Sequence, residues 1–128
     1  MSLKGTYVLD GGDVKFEITS VNDETGVLSG KVHHLIDGKW YEGTLQGHYR
    51  FHRPDPNQAA ENSTAICIHA MRISDTTQIP SYHEGWSGFS SRHNNFPKLT
   101  LMGSRSEVTH DHQKSISMLH GAFFRSKS

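Results

Sequence analysis

The sequence has one cysteine, Cys67, in 128 residues, and no excess of either charge. A lone cysteine excludes an internal disulfide and any cysteine-based zinc cluster. Lysine plus arginine and aspartate plus glutamate each number 13, so the formal net charge is zero. A general nucleic-acid binder would carry a clear basic surplus, and this composition argues against one. No run approaches the roughly 18 consecutive apolar residues of a membrane helix. The opening residues, Met1 to Tyr7, contain no apolar signal core, so the expected setting is cytoplasmic, or secreted if a leader has been removed. The catalytic signatures Gly-x-Ser-x-Gly, the phosphate-binding Walker loop and His-Glu-x-x-His are also missing. What the chain has in plenty is histidine, ten residues, and glycine, twelve. One domain of residues 1–128 is expected from the length.

Period-two alternation dominates the chain. Val14, Phe16 and Ile18 alternate with Lys15, Glu17 and Thr19, the pattern of a strand with one wet face. Asp10-Gly11-Gly12-Asp13 before it, Val21 to Gly26 after it and Asp37-Gly38 further on are turn signals. Strands are expected at Lys4–Leu9, from Val14, at Val27–Ile36, Trp40–His52, Thr64–Ile73, His83–Ser91, Leu99–Arg105 and Gln113–Arg125. Polar loops are expected at Arg53–Ser63 and Ser74–Ser81. Eight strands joined by hairpin-length links, with no convincing helix, predict an all-β, eight-stranded antiparallel up-and-down barrel. Such a barrel either fills with side chains or holds one small ligand.

Several stretches carry a family resemblance. Leu3-Lys4-Gly5-Thr6-Tyr7 resembles the Leu-x-Gly-Thr-Trp opening of the avidin and streptavidin family, nearest to its fungal members. Gly26-Val27-Leu28-Ser29-Gly30-Lys31 and Gly43-Thr44-Leu45-Gln46-Gly47-His48-Tyr49 resemble two further strands of that family. Gly85-Trp86-Ser87-Gly88-Phe89 is similar to its Thr-Trp-Ser-Gly-Gln, and Phe124 in the final run takes the place of its late Phe. The order holds over nearly the whole chain. The resemblance implies an avidin-like barrel assembled as a homotetramer or homodimer. It does not carry the biotin contacts: the ureido partners would fall on Leu9, Asp13, Val32, His34 and Ala122 or Phe123. The cavity tryptophans would fall near Met71, on Leu101 or Met102, and within Gln113 to Ser115. Only Trp86 stays in place, so tight biotin binding is not expected.

Inward positions on the third, fourth and sixth strands would include Val32 and His34, Leu45 and Tyr49, and Tyr82, Glu84 and Trp86. The fifth strand allows two registers, which put either Cys67, His69 and Met71 or Ile66, Ile68 and Ala70 inside. The avidin-like register selects the first set and leaves Ile66 and Ile68 outside, on an oligomer surface with Thr44, Gln46, His48 and Arg50. The expected ligand-binding residues are then His34, His69, Tyr82, Glu84 and Trp86, with Asp13 at the mouth and Trp40 as a further contact. A sugar offers an apolar face to an aromatic plate and hydroxyls to carboxylates. A lectin-like, non-enzymatic binder of a glycan or other small polar ligand is therefore expected, with no cofactor. The alternatives are a binder of biotin or another small molecule, and a small barrel cyclase or isomerase using His34 or His69 with Glu84. His110-Asp111-His112 lacks a third and fourth ligand for a metal and reads as a solvated turn. His33 and His34 lie on opposite faces of a strand and cannot share one ion.

Overall fold

Eight antiparallel strands close on themselves in sequence order, as the alternation predicts. They are β1 (Gly5–Leu9), β2 (Val14–Asn22), β3 (Val27–Ile36), β4 (Lys39–Phe51), β5 (Thr64–Arg72), β6 (Ser81–His93), β7 (Phe96–Val108) and β8 (Lys114–Arg125). This computed structural model describes residues 3–51, 64–74, 77, 79–93 and 96–126. The loop expected at Arg53–Ser63 lies outside the described residues. Among the described residues no helix is long and apolar enough to cross a membrane. Closure comes from β1 on β8, where Tyr7, Val8 and Leu9 face Arg125, Phe124 and Phe123. A closed sheet leaves no open strand edge to recruit other chains.

Local chemistry sets the hairpins. Asp37 and Gly38 both take positive φ, 51° and 79°, and alone join β3 to β4. That is the two-residue type I′ geometry whose twist matches antiparallel strands. The Asn22 side chain accepts the backbone N–H groups of Glu24 and Thr25 at 2.9 and 3.2 Å, which closes the β2–β3 turn. A register shift between Ile18 and Ser20 adds the local twist that barrel closure needs.

Most of the interior is filled. Phe16 stacks on Phe123 with centroids 4.3 Å apart, and Trp86 stands edge-on to both. Leu28, Val32, Leu45, Leu99 and Leu101 complete the packing. Here the register of β5 departs from the avidin-like expectation. Ile66, Ile68 and Ala70 are buried inside, while Cys67, His69 and Met71 face out. Ile66 and Ile68 are therefore core residues and not part of an outer interface. The reason is apolar burial: the alternative register would expose two isoleucines, each stabilising by about 1.5–3 kcal/mol when buried, and bury an imidazole instead.

β6 and β7 each run 13 residues, longer than their apolar alternation suggests. Ser104 to Glu107 continues β7 with polar side chains, pairing against Tyr82 to Gly85. The inward charges of that extension are satisfied by ion pairs, so the strand persists where hydrophobic patterning stops.

Candidate functional site

One end of the barrel opens into a cavity of about 450 Å³. It lies on the side of the β1–β2 and β3–β4 turns and of the β5–β6 link. Its floor is Trp86 with Glu84 and Arg105, its walls include Leu9, Val14, Leu35 and Leu119, and Asp13, Glu107, His120, Pro80 and Arg72 also line it. The volume falls within the range of about 300–1,000 Å³ typical of small-molecule pockets.

The floor is a connected polar cluster. Glu84 is completely buried on β6. Arg105, opposite it on β7, reaches its Oε2 with both Nε and Nη2 at 2.6 Å. The Trp86 indole N–H donates to Oε1 at 3.1 Å. The second carboxylate on Arg105 is Glu107, whose Oε1 accepts from Nη1 at 3.0 Å. Arg105 Nη2 also lies 2.7 Å from His34 Nε2. A guanidinium only donates, so the imidazole accepts there and gives its Nδ1 proton to the Tyr82 hydroxyl oxygen at 3.0 Å. Tyr82 reaches His34 because position 43 has no side chain. A Cβ on Gly43 would sit 3.1 Å from the Tyr82 hydroxyl and 2.4 Å from the Met71 carbonyl oxygen.

These contacts settle the charges. Burial pushes the Glu84 carboxyl up, but the Arg105 guanidinium and the Trp86 N–H outweigh it and hold the group below the usual carboxylate range. Burial works against the Arg105 charge, and Glu84 and Glu107 more than restore it. Burial, then the Glu84 charge, pushes the Tyr82 phenol well above its ordinary value, against the opposing pull of Arg72 and Arg105. The cluster therefore holds Glu84 as a carboxylate, with both oxygens engaged, beneath a wetter mouth.

Of the residues expected from sequence, His34, Tyr82, Glu84 and Trp86 meet in this cluster, and Asp13 stands at the mouth. Two do not join them. His69 faces out from β5 and stacks on His83 of β6, with centroids 5.8 Å apart. Its displacement follows from the β5 register. Trp40 lies on the outer wall, where the Lys15 ammonium sits 4.1 Å over its ring. Even-numbered positions of β4 face outward, and the same parity exposes Thr44, Gln46, His48 and Arg50. Sequence reasoning missed Arg72, Arg105 and Glu107. Their signal was strand parity: Arg72 continues Ile66, Ile68, Ala70, while Arg105 and Glu107 continue Leu99, Leu101, Gly103.

Among the described residues no three His, Cys, Asp or Glu side chains converge as metal ligands. His110 and His112 are exposed, and the Asp111 carboxylate accepts from the Thr109 hydroxyl within its own turn. No protein-family model matches the chain, and no curated protein sequence matches it significantly.

Proposed function

We propose that the chain is a non-enzymatic binding protein that takes one small polar ligand, a carbohydrate by preference, in the open end of its barrel. The observation that carries this reading is the cavity of about 450 Å³ above the Trp86–Glu84–Arg105 floor. Asp13 and Glu107 offer acceptors to hydroxyl groups, and Leu9, Val14 and Leu119 offer a wall to C–H faces. Trp86 is only 4 % exposed, so it serves as floor and not as an open stacking plate.

The barrel order and the inward Trp86 on β6 support an avidin-like ancestry. The apolar, fully buried Val32 and the apolar Ala122 or Phe123 stand where the resemblance would need ureido partners, which supports a ligand other than biotin. An unpaired ureido group there would cost about 1–3 kcal/mol. Engagement of both Glu84 oxygens supports anchoring over proton transfer, and His69 is outside the barrel. Both points weigh against an acid–base enzyme built on Glu84.

Assembly with a second copy belongs to the same proposal. Outward positions from Ala65 to Met71, His83 to Phe89, Thr100 to Ser106 and Ile116 to Ala122 carry no Asp, Glu, Lys or Arg. The other half of the wall bears charged pairs, including Lys31 with Glu42 and Glu17 with His33. An uncharged face can lie against its own copy without burying an unpaired charge. Phe89, Met102, Ile116 and Met118 are exposed on it.

Thermal unfolding in the presence of biotin and a panel of neutral and acidic sugars tests the ligand reading. A saturable rise of several degrees with one sugar class is expected. A rise with biotin alone would overturn the carbohydrate assignment, and silence across the panel would overturn the binding reading.

A further inference from the structure

Arg72 is a buried cation whose charge no carboxylate among the described residues meets. It ends β5 on the inward face, is 9 % exposed, and lines the cavity at the open end. One nitrogen, Nη2, donates to the Pro80 carbonyl oxygen at 3.2 Å. Nε and Nη1 are buried without a hydrogen-bond partner. The guanidinium rests instead on aromatic rings, 4.7 Å from the Tyr82 centroid and 5.6 Å from that of Tyr41. Ring faces attract a cation but give its N–H groups no acceptor.

The contrast with Arg105 is instructive. Arg105 stands 4.8 Å from the same Tyr82 ring, yet two carboxylates neutralise it. Tyr82 is thus flanked by one saturated guanidinium from β7 and one unsaturated guanidinium from β5. Nη2 of Arg72 has two hydrogens and uses one. Whichever it uses, one whole edge of the fork remains free, either Nε with Nη2 or Nη1 with Nη2. A carboxylate is the group that fills such an edge with two parallel hydrogen bonds. Burying a charge and its donors without partners is costly, and natural interiors seldom leave them so.

We infer that the ligand carries a carboxylate and that Arg72 receives it. This inference rests on the binding reading above and sharpens it. Within the carbohydrate class it selects acidic sugars over neutral ones, because the free edge of Arg72 adds a charge-assisted pair that a hydroxyl cannot match. Leu9, Val14 and Leu119 take the body of the ligand while the acid group turns toward β5, away from Asp13 and Glu107.

Two matched pairs of probes test it: glucuronate against glucose, and benzoate against benzamide. Affinities are measured by calorimetry on the wild type, Arg72→Lys and Arg72→Met. The inference expects at least one acid to bind ten-fold or more tightly than its neutral partner. It expects Arg72→Met to erase that preference and Arg72→Lys to keep part of it. It also expects free Arg72→Met to melt no lower than the wild type, since the change removes an unpaired buried charge. Equal binding of acid and neutral partners would overturn the inference and leave the pocket reading intact. A preference that survives in Arg72→Met, or a lower melting temperature with the preference intact, would mark Arg72 as a structural staple and also overturn it. Binding of none of the four probes, with silence from neutral sugars and biotin, would overturn both readings. Should Arg72→Met not fold, the wild-type preference and its reduction in Arg72→Lys decide the matter.

Discussion

Arg105 binds a single oxygen of Glu84 through two nitrogens, both at 2.6 Å, across the β6–β7 ladder. The pair forms the boundary between the packed lower barrel and the open end. Below it lie Phe16, Phe123 and Trp86, and above it the cavity begins. A buried pair of this kind is strongly destabilising when one partner is removed, because the other is left as an uncompensated charge.

Glu84→Gln should therefore destabilise the fold, by less than the about 3–5 kcal/mol of a buried pair with no other partner because Glu107 still holds Arg105, read by urea denaturation at neutral pH. The acid limb follows from the direction of its shift. A carboxyl held below its unfolded value contributes fully above that value, about 4.3 for glutamate, and loses its contribution as pH falls through the folded pKa. Wild-type stability should fall across this window, with the Glu84 part of the fall extending below pH 4. Glu84→Gln should show a shallower acid limb. An identical slope in both proteins would contradict the assignment.

The alkaline limb belongs to phenols with raised values, Tyr7 among them. Tyr7 is fully buried and donates to the Leu3 carbonyl oxygen at 2.8 Å. Burial pushes its phenol up to about 12, with Arg125 pulling the other way. A raised folded pKa means that its contribution is complete below the unfolded value near 10 and is lost as pH rises toward 12. Stability should decline over that interval, and Tyr7→Phe should flatten part of the decline. Tyrosinate absorbance near 295 nm, followed alongside circular dichroism, should show Tyr7 ionising at about pH 12 or together with unfolding. Ionisation of every tyrosine near pH 10 in a folded protein would contradict this.

The uncharged middle of the β5–β8 outer wall, between Lys98 and Lys114, makes a prediction about assembly. Met118→Glu places a carboxylate at a position 78 % exposed in the single chain, so the fold should tolerate it. Sedimentation should show the wild type as a dimer or higher oligomer and the variant shifted toward monomer, with unchanged circular dichroism. A wild type that sediments as a monomer at high micromolar concentration would refute the self-association reading.

The strand order was legible because turns and alternation agree, as Asp37-Gly38 between two alternating runs illustrates. The β5 register was legible too, from Ile66, Ile68 and Ala70, but the avidin-like alignment pointed the other way. Apolar burial decided between them. Half of the site was open to sequence reasoning: His34, Tyr82, Glu84 and Trp86 share inward parity on strands with clear patterns. Arg72, Arg105 and Glu107 were not, because charged residues at inward positions read as the end of a strand until their partners are known. Pairing between Arg105 and Glu84 is a contact across 21 positions, and no local pattern encodes it.

The most direct measurement uses the floor of the cavity as its own reporter. The chain has two tryptophans, and Trp40 lies on the outer wall. In Trp40→Phe the emission comes from Trp86 alone, against Glu84 and beneath the open end. Titration with neutral sugars and glucuronate should give a saturable change in that emission, with the same midpoint as the rise in melting temperature. Stabilisation by a ligand that leaves Trp86 emission unchanged would place the site elsewhere, and the absence of both responses would contradict a binding role for the open end of this barrel.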